Sequence, residues 1–202
     1  MKSLRVLIAD DDGVTLMVLR KTLTEMGHAV VAEAGDGERA VALVHELKPD
    51  LAILDIRMPK MDGFATCRAI QGFSAMPIIM LSAHSESGLG SEASAAGADA
   101  YLVKPFTAAQ LGPAIELALA NKQKLQQMNE ALEARKLVER AKGILMRQTG
   151  LDEETAYLRL QKTARNENRK LVEVARAVIV AEQLRRDSPD KPATPPPPRS
   201  RP

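Results

Sequence analysis

Three aspartates, a serine and a lysine stand at the ends of short apolar runs in the first half of this 202-residue sequence. Asp10 and Asp11 follow "LRVLIA" (residues 4–9), Asp55 closes "DLAILD" (50–55), Ser82 follows "PIIML" (77–81) and Lys104 follows "AYLV" (100–103). Carboxylates gathered in one crevice repel one another, which favours a hard cation with oxygen ligands, such as Mg²⁺. An amine beside them offsets the remaining charge and can pair with a phosphoryl oxygen. Any one of these aspartates alone reads as a solvated loop residue or a helix cap. Five such groups in this order read as a site.

The elements that must position them follow from hydrophobic patterning. With "AVVAE" (29–33), the runs make five strands that are apolar on both faces and separated by helix-length segments, the pattern of a parallel sheet covered on both sides. Ligands in such sheets sit beyond the carboxyl ends of the strands, where the strand order reverses. Helical periodicity places Val14, Val18, Leu19 and Met26 on the buried face of the first helix, and Ala40, Val41, Val44 and Leu47 on that of the second. Asp12 and Asp36 are positioned to cap them.

The segments "VLIADDD", "LAILDIRMPKMDG", "IIMLSAH" and "AYLVKPF" resemble the four signatures of two-component receiver domains, over residues 4 to about 120. The resemblance implies a flavodoxin-like, doubly wound α/β fold of five parallel strands. It implies that Asp55 accepts a phosphoryl group from a sensor histidine kinase. Mg²⁺ would be held by Asp10, Asp11, Asp55 and the backbone carbonyl of Arg57. Ser82 and Lys104 would bind phosphoryl oxygens, Tyr101 would be the aromatic switch, and the Lys104–Pro105 bond would be cis. A second reading takes "DDDGVTL" (10–16) as similar to the opening of haloacid-dehalogenase-like phosphatases, with Asp10 as nucleophile and Asp12 as acid/base. That family's downstream acidic pair is missing, since "GADAY" offers only Asp99, and "LDIRMPKMDG" is left without a role. The expectation is a signalling protein rather than an enzyme. Where the receiver's fourth helix belongs, "SESGLGSEASAAGAD" (85–99) is a poor helix former, predicting a short or mobile element.

Bulk properties narrow the class. No apolar run approaches the roughly 20 residues that span a bilayer, and the start, "MKSLRVLIADDD", holds no signal-peptide core, so the cytoplasm is the expected compartment. Cys67 is the only cysteine, and His28, His45 and His84 are scattered as packing or surface residues. Residues 1–106 carry 10 Lys+Arg against 14 Asp+Glu, whereas 107–202 carry 18 against 12, so the two halves should have different partners.

From Thr107, a suitable cap, the chain reads as helix past Pro113 to Gln148. Leu111, Ile115, Ala118 and Leu119 should pack on the sheet, and Leu125, Met128 and Leu132 form a three–four stripe suited to a short coiled coil or to a single solvated helix. After the connector part of this stretch come three helix patterns, the first running to its end, with apolar stripes Leu137, Ala141, Ile144, Leu145; Ala156, Tyr157, Leu160, Ala164; and Leu171, Val174, Ala175, Val178, predicting a small bundle. The first helix is expected to stop at Gly150 and the second to start at Asp152. Lys136, Arg140, Gly143 and Arg147 share one helical face, beside Lys142, and Lys162, Arg165, Arg169 and Lys170 extend the positive charge. At Gly143 the missing side chain would let a phosphodiester backbone or another helix come close; an ordinary solvated face is the alternative.

Residues 134–179, with "AKGILM", "EETAYLRL" and "KLVEVA", resemble the ANTAR domain of transcription antitermination regulators. That resemblance implies a phosphorylation-promoted homodimer binding tandem RNA hairpins in leader transcripts, with Lys136, Arg140, Lys142, Gly143, Arg147, Lys162 and Arg165 as candidate RNA contacts. Tyr157 fits either a core position or stacking on a loop base. A DNA-binding output of helix-turn-helix type is the main alternative, and a receiver acting through protein contacts alone is a third. The expected organisation is a receiver domain over 1–120, a helical connector over 121–134, the ANTAR domain over 135–186 and a proline-rich, disordered or polyproline-like tail over 187–202.

Overall fold

The computed structural model describes residues 3–83 and 95–187. Most of the expected weak fourth helix of the receiver and the tail beyond Asp187 lie outside the described residues, as does His84. Two compact units divide the chain, Met1–Gln126 and Gln127–Pro202.

The first unit is built on strands β1 (Arg5–Ala9), β2 (Ala29–Ala34), β3 (Leu51–Asp55), β4 (Ile78–Ser82) and β5 (Ala100–Val103). They form one parallel sheet in the order β2-β1-β3-β4-β5. The chain leaves β1 for one edge and returns on its other side at β3, so the order reverses between these two strands. Alternate residues face opposite ways along each strand, and two cores result. Leu7, Ala52, Leu54, Ile78 and Met80 pack with Ala40 and Val44 of α2 (Gly37–Leu47) and Cys67 and Ile70 of α3 (Gly63–Gln71). Val6, Ile8, Ile53, Ile79 and Leu81 pack with Leu19 and Leu23 of α1 (Gly13–Glu25) and Leu111, Ile115 and Ala118 of α4 (Ala108–Thr149).

The caps fall where expected. Asp12 accepts from the Val14 and Thr15 amides at 3.0 and 3.2 Å, and Asp36 accepts from Arg39 at 2.8 Å. Thr107 precedes α4, its amide donating to Gln110 Oε1 at 2.9 Å, one half of a capping box. Pro113 lies inside α4 without ending it. The buried face of α1 corrects the sequence reading in part: Val14 and Val18 are 63% and 42% exposed, while Leu19 and Met26 face the sheet as expected, with Leu16 and Leu23 beside them. Those four recur every three to four residues, whereas Val14 and Val18 sit on another side of the helix. His28 and His45 have packing roles, the first buried and the second edge-on to Phe73 at 5.6 Å.

In the second unit, the end of α4 is followed by α5 (Glu153–Asn166) and α6 (Leu171–Asp187). Gly150 breaks the chain at φ +70°, a left-handed value that suits glycine, and Asp152 caps α5 through the Thr155 amide at 2.7 Å. Ala141 and Ile144 of α4 meet Leu160 and Ala164 of α5 and Val174, Ala175 and Ile179 of α6. Tyr157 is excluded from this core and is 37% exposed. Across the described residues, no helix is long and apolar enough to cross a membrane.

Candidate functional site

Asp10 and Asp55 become neighbours because β1 and β3 pair in register, Ala9 opposite Leu54, at the point where strand order reverses. Asp10, Asp11 and Asp55 each present a carboxylate oxygen within 4.8 Å of the others. Asp10 and Asp55 are buried and Asp11 is exposed. From the end of β5, Lys104 reaches Asp10 Oδ2 at 2.6 Å and Asp55 Oδ1 at 2.5 Å. The other Asp55 oxygen, Oδ2, accepts from the Arg57 amide at 2.7 Å, and Asp10 Oδ1 accepts from the Asp12 amide at 3.0 Å. Ser82 is buried at the end of β4, and its carbonyl accepts the Lys104 amide at 2.7 Å. The Lys104–Pro105 bond is cis.

The electrostatics follow from this burial. Desolvation pushes the Asp10 carboxyl above its ordinary range, against the opposing pull of the Lys104 hydrogen bond. Burial alone would lower Lys104, yet its hydrogen bonds to Asp10 and Asp55 carry it above the usual lysine value. The ammonium is therefore charged at neutral pH. All three acidic donors are hard oxygens and one is open to solvent, which suits Mg²⁺.

Gly63 supports the site without carrying a reactive group. A Cβ there would strike the Asp55 carbonyl oxygen and come within 2.9 Å of the Ile56 Cα. Its signal in the sequence is the glycine closing "MPKMDG", after the Asp62 cap. Tyr101, expected as the switch, is 52% exposed on β5.

The candidate RNA contacts divide into two groups. Lys136, Arg140, Arg147, Lys162 and Arg165 are exposed. Lys142 is not: only 10% of its side chain is accessible, and its ammonium pairs with Glu139 and Glu153, both at 2.7 Å. Lying between the core residues Ala141 and Ile144, it turns inward, and its charge is already neutralised by protein. At Gly143 the nearest atom to an added Cβ is Arg147 Nη1 at 3.6 Å, so no protein group in the bundle requires glycine there. Glu182, which patterning gave no role, is buried and accepts from Gln148 at 2.6 Å, Arg185 at 2.8 Å and Arg186 at 2.9 Å. Its i+3 and i+4 arginines were its only visible signal.

A doubly wound sheet with paired acids, a serine and a lysine at its carboxyl edge defines a receiver-like architecture. Residues 6–116 match the response regulator receiver domain model, and residues 126–179 match the ANTAR domain model. The chain is 42% identical over 182 residues to the transcriptional regulatory protein PdtaR of Mycobacterium tuberculosis, covering 87% of this chain and 89% of that one. Among solved structures it resembles a LuxR-family two-component response regulator from Aurantimonas sp. SI85-9A1, with 32% identity, TM-score 0.55, 59% of this chain and 86% of that one. It also resembles a structure of the CheX–CheY–BeF3–Mg²⁺ complex of Borrelia burgdorferi, with 34% identity, TM-score 0.53, 55% of this chain and 85% of that one. The chain belongs to the two-component response regulators that join a receiver domain to an ANTAR domain.

Proposed function

We propose that this protein is a phosphorylation-controlled RNA-binding regulator of transcription elongation. The observation that carries the reading is the Lys104 ammonium joined to both Asp10 and Asp55 beside Asp11, on a chain whose second unit is an ANTAR domain. Asp55 is the acceptor: a carboxylate oxygen attacks the phosphorus of a kinase phosphohistidine, and the phosphorus–nitrogen bond breaks as the histidine leaves. A carboxylate is a weak nucleophile, so the rate depends on stabilising negative charge on the phosphoryl oxygens in flight. Asp10, Asp11, Asp55 and the Arg57 carbonyl would hold Mg²⁺, which would supply part of that stabilisation. Lys104 exchanges its contact with Asp55 for a phosphoryl oxygen, Ser82 bonds a second one, and Tyr101 responds to the change at Ser82. The presence of Mg²⁺ and BeF3 in the Borrelia CheX–CheY complex is in keeping with this assignment.

Phosphorylation then favours a homodimer through α4. Leu125, Met128 and Leu132, 50%, 61% and 52% exposed, make an apolar stripe at three–four spacing. Burying the exposed half of each in a paired helix contributes on the order of 1 kcal/mol. The dimer presents two ANTAR domains to tandem hairpins in a leader transcript and prevents a terminator from forming. Exposed Lys136, Arg140 and Arg147 on α4 and Lys162 and Arg165 on α5 contact the phosphates, with Gly143 admitting the backbone. Loop bases are the accessible targets, because the deep major groove of an RNA helix hides base edges.

The test is binding to tandem-hairpin RNA and to duplex DNA at matched salt, with and without a small phosphodonor and Mg²⁺. The expected result is RNA binding that strengthens on phosphorylation as the mass doubles. Preferential binding to duplex DNA would favour a DNA-binding output, and binding to neither would leave protein contacts as the output.

A further inference from the structure

The second unit carries a groove of about 720 Å³ between α4, α5 and α6 that the proposed function leaves unused. Its apolar surface comes from Val138, Tyr157, Leu171 and Val172. Its carboxylates are Glu139, Glu153 and Glu154; the side chains of the first two remain 55% and 71% exposed although Lys142 bridges them. Three carboxylates against Arg135 and Lys142 leave the lining with a small net negative charge, and both partners of Lys142 stay open to solvent, so this is a poor seat for RNA phosphates. An open aromatic ring beside acids suits a basic, proline-rich strand, whose preformed polyproline II conformation loses little entropy on docking against aromatic side chains.

The sequence contains a segment of that composition. After Asp187 it continues "SPDKPATPPPPRSRP", with cations at Lys191, Arg199 and Arg201 and no acid beyond Asp190. The reach also agrees. The groove lies at the start of α6, at Leu171 and Val172, and the tail leaves from its other end. The 15 residues from Val172 to Asp187 rise about 1.5 Å each, roughly 22 Å. Running back, the eight residues from Asp187 to Pro195 cover about 25 Å at ~3.1 Å per residue. That length of chain is enough for Pro195–Pro198 to reach Tyr157 and for the arginines after them to reach the acidic rim.

We propose that the proline-rich tail of this chain docks in cis into the α4–α5–α6 groove, Pro195–Pro198 lying against Tyr157, Leu171 and Val172, and Arg199 and Arg201 pairing with the groove's glutamates. The experiment places a nitroxide at Ser200→Cys in the full chain; Cys67 is fully buried, which directs labelling to the new site. Resonances of Val138, Tyr157 and Leu171 should lose most of their intensity relative to the reduced label, with no comparable loss elsewhere on the bundle. In the Glu154→Lys variant that loss should diminish, and adding Arg199→Glu should restore it. Absent or evenly spread broadening would overturn the proposal. So would broadening in a mixture of spin-labelled, isotopically unlabelled chain with label-free, isotope-enriched chain, because the occupant would then be a second copy.

Discussion

The Lys104 ammonium lies 2.5 Å from Asp55 Oδ1, although 94 residues separate Lys104 from its other partner, Asp10. One cation thus compensates two buried carboxylates that come from different strands. Removing it leaves the two like charges facing each other without their shared counter-charge, each keeping one backbone amide, from Asp12 and from Arg57.

Lys104→Met should therefore destabilise the first unit in the absence of divalent cation. The cost should be on the order of 2 kcal/mol, below the 3–5 typical of breaking a fully buried pair because Lys104 retains some exposure. Millimolar Mg²⁺ should restore much of that loss, since a ligand that binds only the folded state stabilises it. Urea denaturation with and without Mg²⁺ makes the measurement, and a variant as stable as the parent under both conditions would contradict this account of the charge balance.

Gly143 separates packing from function. An added Cβ meets only Arg147 Nη1 at 3.6 Å, so Gly143→Ala should stabilise the helix by about 0.5–1 kcal/mol. If RNA approaches the backbone there, the same variant should bind hairpins more weakly. Arg140→Glu should weaken binding without a change in stability. Lys142→Ala should instead lower bundle stability by releasing Glu139 and Glu153. Denaturation and binding curves on the three variants separate the roles, and unchanged RNA affinity in Gly143→Ala would remove the close approach.

The acid limb of stability in the second unit should pass through Glu182. Hydrogen bonds from Arg186 first, and then Gln148, hold its carboxyl below the ordinary glutamate range. A folded value below the unfolded one gives stabilisation that is complete above about pH 4.3 and is lost as pH falls through the folded value. Amide signals of α4 near Gln148 should lose protection over that window in the parent and less so in Glu182→Gln. Equal acid sensitivity in both would place the limb elsewhere.

The sheet was legible because its strands are short, largely apolar runs separated by helix-length segments, and four of them, β1, β3, β4 and β5, end in or lead straight into a residue with chemistry to do. The pocket was legible because ordered strand ends converge once the sheet is parallel. Caps at Asp12, Asp36 and Asp152 and the stop at Gly150 were equally local signals. Failures came where tertiary partners decide. Val14 and Val18 are apolar yet face outward, and Lys142 lies in a basic stretch yet turns inward to Glu153 on another helix. Gly63 read as punctuation, because its closeness to the Asp55 carbonyl exists only after α3 packs beneath β3.

The central claim is tested most directly by mapping covalent phosphate after exposure to a small phosphodonor and Mg²⁺. Intact-mass and peptide analysis should find one acid-stable, base-labile phosphoryl group on Asp55, absent without divalent cation and absent in Asp55→Asn. A full phosphoryl increment retained by Asp55→Asn, or one located on Asp10, would contradict it.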